Sequence, residues 1–266
     1  MSLPFLQSVA AEFGATLKAA SGDRTEVELR VPRPGGRFEA FSLMLEDSQD
    51  GPKVRETEPR RFPASCLERH INYDASFCLA WSSGGNGTIS DEAQARAFWT
   101  NLEKFLNSQL AASKTGRWPG QQNARAHGAA AAPQDRAEKI CAQLGADMLR
   151  DLKRGRLTVE VDRSWHKERL TLLRNGLPIA RTKKNKKSPF WVAKVCPCGT
   201  STSAATKCSD HAGLLAALSN EILQWRAEHQ AYVYSAIRNG QSCCGTMDRC
   251  ELRDAQKARS RAIRRD

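Results

Sequence analysis

"RHINYDASFCLAW" (residues 69–81) decides how the first half of this chain is read. Its one cysteine, Cys78, stands between Phe77 and Leu79 and follows the polar, turn-forming residues Asn72, Tyr73, Asp74 and Ser76. Two readings compete. A free cysteine between apolar neighbours is often a small buried hydrophobe. A cysteine carried by a turn and followed by "SSGGNG" (82–87) is uncrowded enough to act as a nucleophile. Asp74 and Ser76 are not basic neighbours, so little activation of the thiol is expected.

The flanks favour an α+β domain. Leu3, Phe5, Leu6, Val9, Phe13 and Leu17 have helical spacing and predict an amphipathic helix over 3–20. "TEVELRV" (25–31) and "FEAFSLMLE" (38–46) alternate as strands do, with a "RPGG" turn between them. A weaker strand is expected at 53–57, and Pro59 and Pro63 then interrupt regular structure. Beyond Cys78, Ser90 is placed as the N-cap of a helix that carries Phe98, Trp99, Leu102, Phe105 and Leu106 on one side.

With this order on the page, "RHINYDASFCL" resembles the active-site segment of ubiquitin-conjugating enzymes. Those enzymes carry His-Pro-Asn and then a turn that ends in Ile-Cys-Leu. Cys78 falls on their catalytic cysteine, Leu79 on the leucine after it, and Asn72 on the asparagine of the turn. The likeness covers about residues 1–113 and is nearest to divergent bacterial members encoded in ubiquitin-like modification operons. The proline of His-Pro-Asn is missing. With the spacing to cysteine held fixed, His70 takes the place of the family's asparagine; with the spacing relaxed, His70-Ile71-Asn72 is itself the tripeptide. That asparagine braces the loop and stabilises an oxyanion, and either His70 or Asn72 can donate such a bond. The resemblance implies an acyl carrier: Cys78 takes a ubiquitin-like protein from an activating enzyme and passes it to an amine of a target, in bacterial anti-phage defence.

The second half differs in charge. Residues 1–113 carry 12 Lys/Arg and 15 Asp/Glu, whereas residues 114–266 carry 29 and 14. A region this basic suits an acidic protein or nucleic acid. Residues 114–135, rich in Gly, Gln and Ala, read as a linker or arm, with Trp118 expected to pack back on the first domain. A basic α+β accessory domain then fills 136–266. It is expected to contain a helix at 136–153, a strand at 156–162 and a hairpin over 168–184 around Asn175-Gly176. A strand at 189–195, a helix at 211–238 and a helical tail complete it.

Within it, "CPCGTSTSAATKCSDH" (196–211) sets Cys196, Cys198, Cys208 and His211 around a polar loop, a ligand set suited to one structural, tetrahedral zinc. The segment resembles the SEC-C zinc motif, with a loop one residue longer and the histidine two residues further on. "SCCGTMDRC" adds Cys243, Cys244 and Cys250, for which buried thiols are the default and a second metal site lacks an evident fourth ligand. Cys66 and Cys141 read as core or surface thiols.

The nine cysteines are odd in number and unevenly clustered, which argues against a secreted disulfide scaffold and for a reducing cytoplasm. The N-terminus does not read as a signal peptide, and no apolar run of about 18 residues predicts a membrane span. A second function class stays open: an inactive conjugating-enzyme-like adaptor whose basic zinc module binds nucleic acid or an acidic protein.

Overall fold

The computed structural model describes residues 2–58, 60–79, 87–120, 125–163, 168–193 and 209–263, with side chains from 211 to 258 in the last span. It is α+β, with two antiparallel sheets and six α-helices among these residues. The chain forms two compact units, Met1–Pro119 with Ala236–Asp266, and Gly120–Ser235. This division differs from the one read off the sequence: the C-terminal segment groups with the first domain and not with the basic region before it. Its side chains explain why. Met247 and Cys244 pack with Cys66 and Ala112. The Asp248 N–H donates to the Gly116 carbonyl at 2.9 Å, and Arg117 reaches the Asp248 carboxylate at 3.1 Å. Gly116 closes the preceding helix with φ +65°, and a Cβ there would strike Asp248.

In the first unit, α1 (Leu3–Val9) and a short 3-10 turn (Ala10–Phe13) end at Gly14, whose φ of 69° is left-handed. Strand β1 (Ala15–Ser21) follows. The expected single helix over 3–20 is therefore wrong in its second half. Leu17 sits at helical spacing but lies on an edge strand and is exposed. Strands β2 (Arg24–Arg33), β3 (Arg37–Glu46) and β4 (Lys53–Glu56) complete a meander in the order β1-β2-β3-β4. Register puts Val27 opposite Leu43 and Leu29 opposite Phe41, so the alternating apolar residues share one face. That face, α1 and α2 (Glu92–Thr115) make one core, in which the indole N–H of buried Trp99 donates to the Leu6 carbonyl at 3.0 Å. Asp91, one residue beyond the expected Ser90, caps α2 by accepting from the Gln94 N–H at 2.8 Å. Trp118 does pack on this core.

In the second unit, the expected helix at 136–153 is two helices, α3 (Ala131–Leu144) and α4 (Ala146–Lys153), broken at Gly145 with φ 122°. Strands β5 (Leu157–Asp162), β6 (Arg169–Arg174), β7 (Leu177–Lys183) and β8 (Pro189–Val192) form a second antiparallel meander. Asn175 and Gly176 both take positive φ, 52° and 78°, as a two-residue type I′ hairpin requires. Helix α5 (Ser209–Arg238) supplies Leu215, Leu218 and Ile222 to the core built on this sheet. The tail helix α6 (Glu251–Ile263) closes the chain. No helix among the described residues is long and apolar enough to cross a membrane.

Candidate functional site

The Cys78 segment is a set of short turns stitched together by its own backbone. Cys66 and Ile71 exchange two N–H···O bonds of 3.0 Å around a 3-10 turn (Leu67–Arg69), and His70 closes that turn in the left-handed region at φ 54°. Ile71 bridges in turn to Phe77. A second turn is closed by Asn72 N–H to the Ser76 carbonyl at 2.8 Å and by Ala75 N–H to the Asn72 carbonyl at 3.0 Å. The Phe77 N–H then reaches the Val54 carbonyl on β4 at 2.7 Å, and the Cys78 N–H reaches the His70 carbonyl at 2.8 Å. The cysteine backbone is thus anchored to the residue that precedes the turn. A non-glycine residue in the left-handed region is strained, and here the strain lies within this segment.

Side chains brace the same turn. Asp74 accepts from the Ser76 N–H at 3.0 Å and hydroxyl at 2.5 Å, and pairs with Lys53 at 3.1 Å. Burial alone would raise the Asp74 carboxyl, but these bonds hold it below its ordinary value. The Asn72 amide donates to the Ser76 hydroxyl at 3.0 Å. Asn72 is therefore engaged inside the turn. His70 is buried, with its ring 5.2 Å from that of Trp118, and one of its ring nitrogens lies within 4.8 Å of the Cys78 sulfur. Trp118 also packs on Phe105, which packs on Phe77 at 4.8 Å. An indole in a linker-like stretch is explained by this: it wedges between the site histidine and the core.

Cys78 itself is half-buried, while Phe77 beside it belongs to the core. Burial pushes its thiol above the ordinary value, so the resting group at neutral pH is the thiol and not the thiolate. The sequence suggests no basic neighbour for Cys78; the structure supplies the His70 imidazole.

Arg69 is the residue that sequence reasoning missed. Its buried guanidinium donates to the Gln109 side-chain oxygen at 2.7 Å, the Gln109 carbonyl at 3.0 Å and the Ser113 hydroxyl at 2.8 Å. Gln109 returns a bond to the Arg69 carbonyl at 2.6 Å. The residue just before His70 is thereby locked to α2. Its partners lie forty or more positions away, and no local pattern announces them.

Of the expected zinc ligands, Cys196, Cys198 and Cys208 lie outside the described residues; His211 is in the first turn of α5. Cys66, Cys141 and Cys250 are buried, whereas Cys243 and Cys244 are partly exposed.

Residues 13–120 match the family model of a prokaryotic E2 domain, E2 being the ubiquitin-conjugating class. Residues 126–252 match that of a cysteine-rich domain described as C-terminal to the E2 domain. No curated protein and no solved structure matches the chain. The two matches follow one another in the order their descriptions give, so the chain is similar to a bacterial E2-like protein with a cysteine-rich C-terminal region, which points to ubiquitin-like conjugation.

Proposed function

We propose that this protein is an acyl carrier of ubiquitin-like conjugation, with Cys78 as the carrier thiol. The observation that carries the reading is the placement of Cys78: its backbone is pinned to His70, its neighbour Phe77 is sunk in the core, and its sulfur is left half-buried beside the His70 imidazole. The Cys78 thiol loses its proton as its sulfur attacks the thioester carbonyl between an activating enzyme and a ubiquitin-like protein. The new C–S bond forms and the activating enzyme's thiol leaves. A target amine then attacks the Cys78 thioester, an amide bond forms, and the Cys78 thiol is released. A His70 ring nitrogen lies within 4.8 Å of the Cys78 sulfur, and His70 takes the oxyanion-facing role, while Asn72 braces the turn. A thiol with a raised pKa suits a carrier fed by an already activated thioester, because it resists adventitious alkylation and oxidation.

The setting is a bacterial cytoplasm and anti-phage defence, and the cysteine-rich region recruits the target or a partner enzyme. Cys196, Cys198, Cys208 and His211 are the ligand set for one structural zinc. Full-length protein should then contain about one zinc held by this set.

Incubated with its activating enzyme, ATP and ubiquitin-like protein, the chain should form an adduct that thiol reductants release. Cys78→Ala should abolish that adduct and remain folded. Cys78→Ser should trap a slower oxyester that reductants spare. Loading of Cys78→Ala as efficient as wild type would overturn the reading.

A second reading has an observation of its own. On the second sheet, Arg181 lies 5.3 Å over the Trp191 ring and Arg169 lies 5.7 Å over the Phe190 ring, with both aromatics substantially exposed. Cation–aromatic pairs at a basic sheet edge suit a polyanion, and would make the second unit a nucleic-acid-binding module of an adaptor. Binding to single-stranded nucleic acid that falls steeply with salt supports this reading; binding that salt leaves unchanged excludes it.

A further inference from the structure

Two cysteines that the proposed function leaves unused are brought together from opposite ends of the chain. The sulfurs of Cys66 and Cys244 are 2.8 Å apart, closer than two unbonded sulfur atoms ordinarily approach. Both residues belong to the same compact unit. Cys66 is buried at the head of the Cys78 segment, where its backbone pairs with Ile71. Cys244 is partly exposed in the stretch between α5 and α6, and its sulfur also contacts the Thr246 hydroxyl at 3.1 Å.

We propose that Cys66 and Cys244 are a redox-active dithiol, a modification site that closes to a disulfide on exposure to a hydroperoxide and cross-links the C-terminal segment to the base of the Cys78 loop. The two thiols are unequal, as such chemistry requires. The 2.8 Å contact between the two sulfurs, aided by Thr246, draws the Cys244 thiol below its ordinary value, while the same contact and burial push Cys66 up. Cys244, which is partly exposed, is the attacking thiolate, and the buried Cys66 is the resolving thiol. In the first step the Cys244 sulfur attacks one peroxide oxygen; an S–O bond forms, the O–O bond breaks, and the departing hydroxide takes a proton to become water. In the second the Cys66 sulfur attacks the sulfenic sulfur of Cys244. The S–S bond forms, the S–O bond breaks, and hydroxide leaves with the Cys66 proton as a second water. Two thiols and one hydrogen peroxide thus give one disulfide and two waters. Closure asks the sulfurs to approach by less than about 1 Å to reach bonding distance.

The position gives the bond a consequence. From Cys66 the backbone bridges lead to Ile71, then Phe77, and Cys78 is next in sequence. Arg69 reaches Thr246 at 3.3 Å, so the segment that carries Cys244 already touches the loop at a second point. Oxidation fastens a contact that is otherwise non-covalent. Cys78, with its raised thiol pKa, reacts more slowly with peroxide and stays free.

The test uses the full chain, one equivalent of hydrogen peroxide, and peptide mapping without reductant. The expected product is a cross-linked pair of peptides containing Cys66 and Cys244, reversed by dithiothreitol, with Cys78 still reduced. In Cys66→Ser, which keeps a hydrogen-bonding group beside Cys244 but removes the resolving sulfur, Cys244 should remain as the sulfenic acid and take up dimedone several-fold more than in the wild type. In Cys244→Ser, the cross-link and the dimedone label on this pair should both vanish. A cross-link between other cysteines would overturn the proposal. So would a purified protein in which bound metal shields Cys66 and Cys244 from alkylation until a chelator is added, because the pair would then be ligands and not a dithiol.

Discussion

The two sheets share one topology, a four-stranded antiparallel meander, and put it to different uses. The first buries an alternating face of Val27, Leu29, Val31, Phe41, Leu43 and Leu45 beneath α1 and α2, and its last strand carries the carbonyl that anchors Phe77. The second packs on α3, α4 and α5 with Leu, Ala and Met and with few large aromatics in its core, and leaves Phe190 and Trp191 outside under arginines. In the first unit most aromatic bulk is spent inside, where it holds a loop in place, while Phe38, under Arg30, and Tyr73 stay exposed. In the second, Phe190 and Trp191 are set on the surface, where they can meet a partner, and Trp225 packs on the core. Topology alone does not distinguish a scaffold for a thiol from a scaffold for a binding face; the aromatics packed beneath the loop do.

The largest effect should come from removing the first unit's central aromatic. Trp99 is 1% exposed, stacks on Phe13 and bonds to Leu6. Trp99→Ala should cost about 3–5 kcal/mol in chemical denaturation of the full chain. A loss under about 1 kcal/mol would show that this core is not organised around the indole. Next comes His70, which sharpens the division of labour within the loop. His70→Ala should leave loading of Cys78 largely intact and slow discharge to an amine by about 100- to 1000-fold, the scale expected for one oxyanion donor. Asn72→Ala should act on both steps alike through the turn it braces. Equal losses in loading and discharge for His70→Ala would make that histidine a mere packing partner of Trp118.

The alternating strands, the Asn175-Gly176 hairpin and the long helix α2 were legible because each is written in a local period or a turn signal. The Cys78 turn was legible too: Asn72, Asp74 and Ser76 are residues that bond to their own backbone neighbours. What was not legible is non-local. Strand β1 hid behind Leu17, whose helical spacing matched residues of α1 although Gly14 ends that helix. The grouping of 236–266 with the first unit depends on Met247, Asp248 and Cys244 meeting residues more than a hundred positions away. No local pattern marks Arg69, and only the fold shows it buried against Gln109 and Ser113.

That arginine gives the third test of the comparison. Arg69→Met keeps the aliphatic stem over Phe62 but leaves the Gln109 and Ser113 acceptors without their donor. About 3 kcal/mol of stability should be lost, and loading of Cys78 should fall with it. If stability drops and loading at a temperature well below unfolding does not, the loop is held by its backbone turns alone.

The smallest expected effect belongs to the second unit, where a carboxylate does the fastening. Asp151 on α4 accepts from Arg174 on β6 at 2.7 Å and from Arg156 at 3.4 Å. Burial by itself would raise its pKa, but the bonds and charges of Arg174 and Arg156 outweigh burial and hold it below the ordinary value. A carboxylate whose folded pKa is depressed stabilises the fold above its unfolded pKa of about 3.9, and that contribution disappears as pH falls through the folded value. Asp151→Asn should therefore cost about 1.5 kcal/mol at pH 7, and the gap between variant and wild type should narrow as the pH is taken below about 4. The hydrogen-bond partners of Arg69 are neutral. The hydrogen-bond share of the loss in Arg69→Met should be the same at pH 4 and pH 7, and any pH dependence should come from Glu56 and Cys244, whose charges also act on it. A pH-independent loss in Asp151→Asn would mean that the carboxylate acts through shape and not charge, and the contrast between a loop held by neutral hydrogen bonds and a helix held by ion pairs would fail.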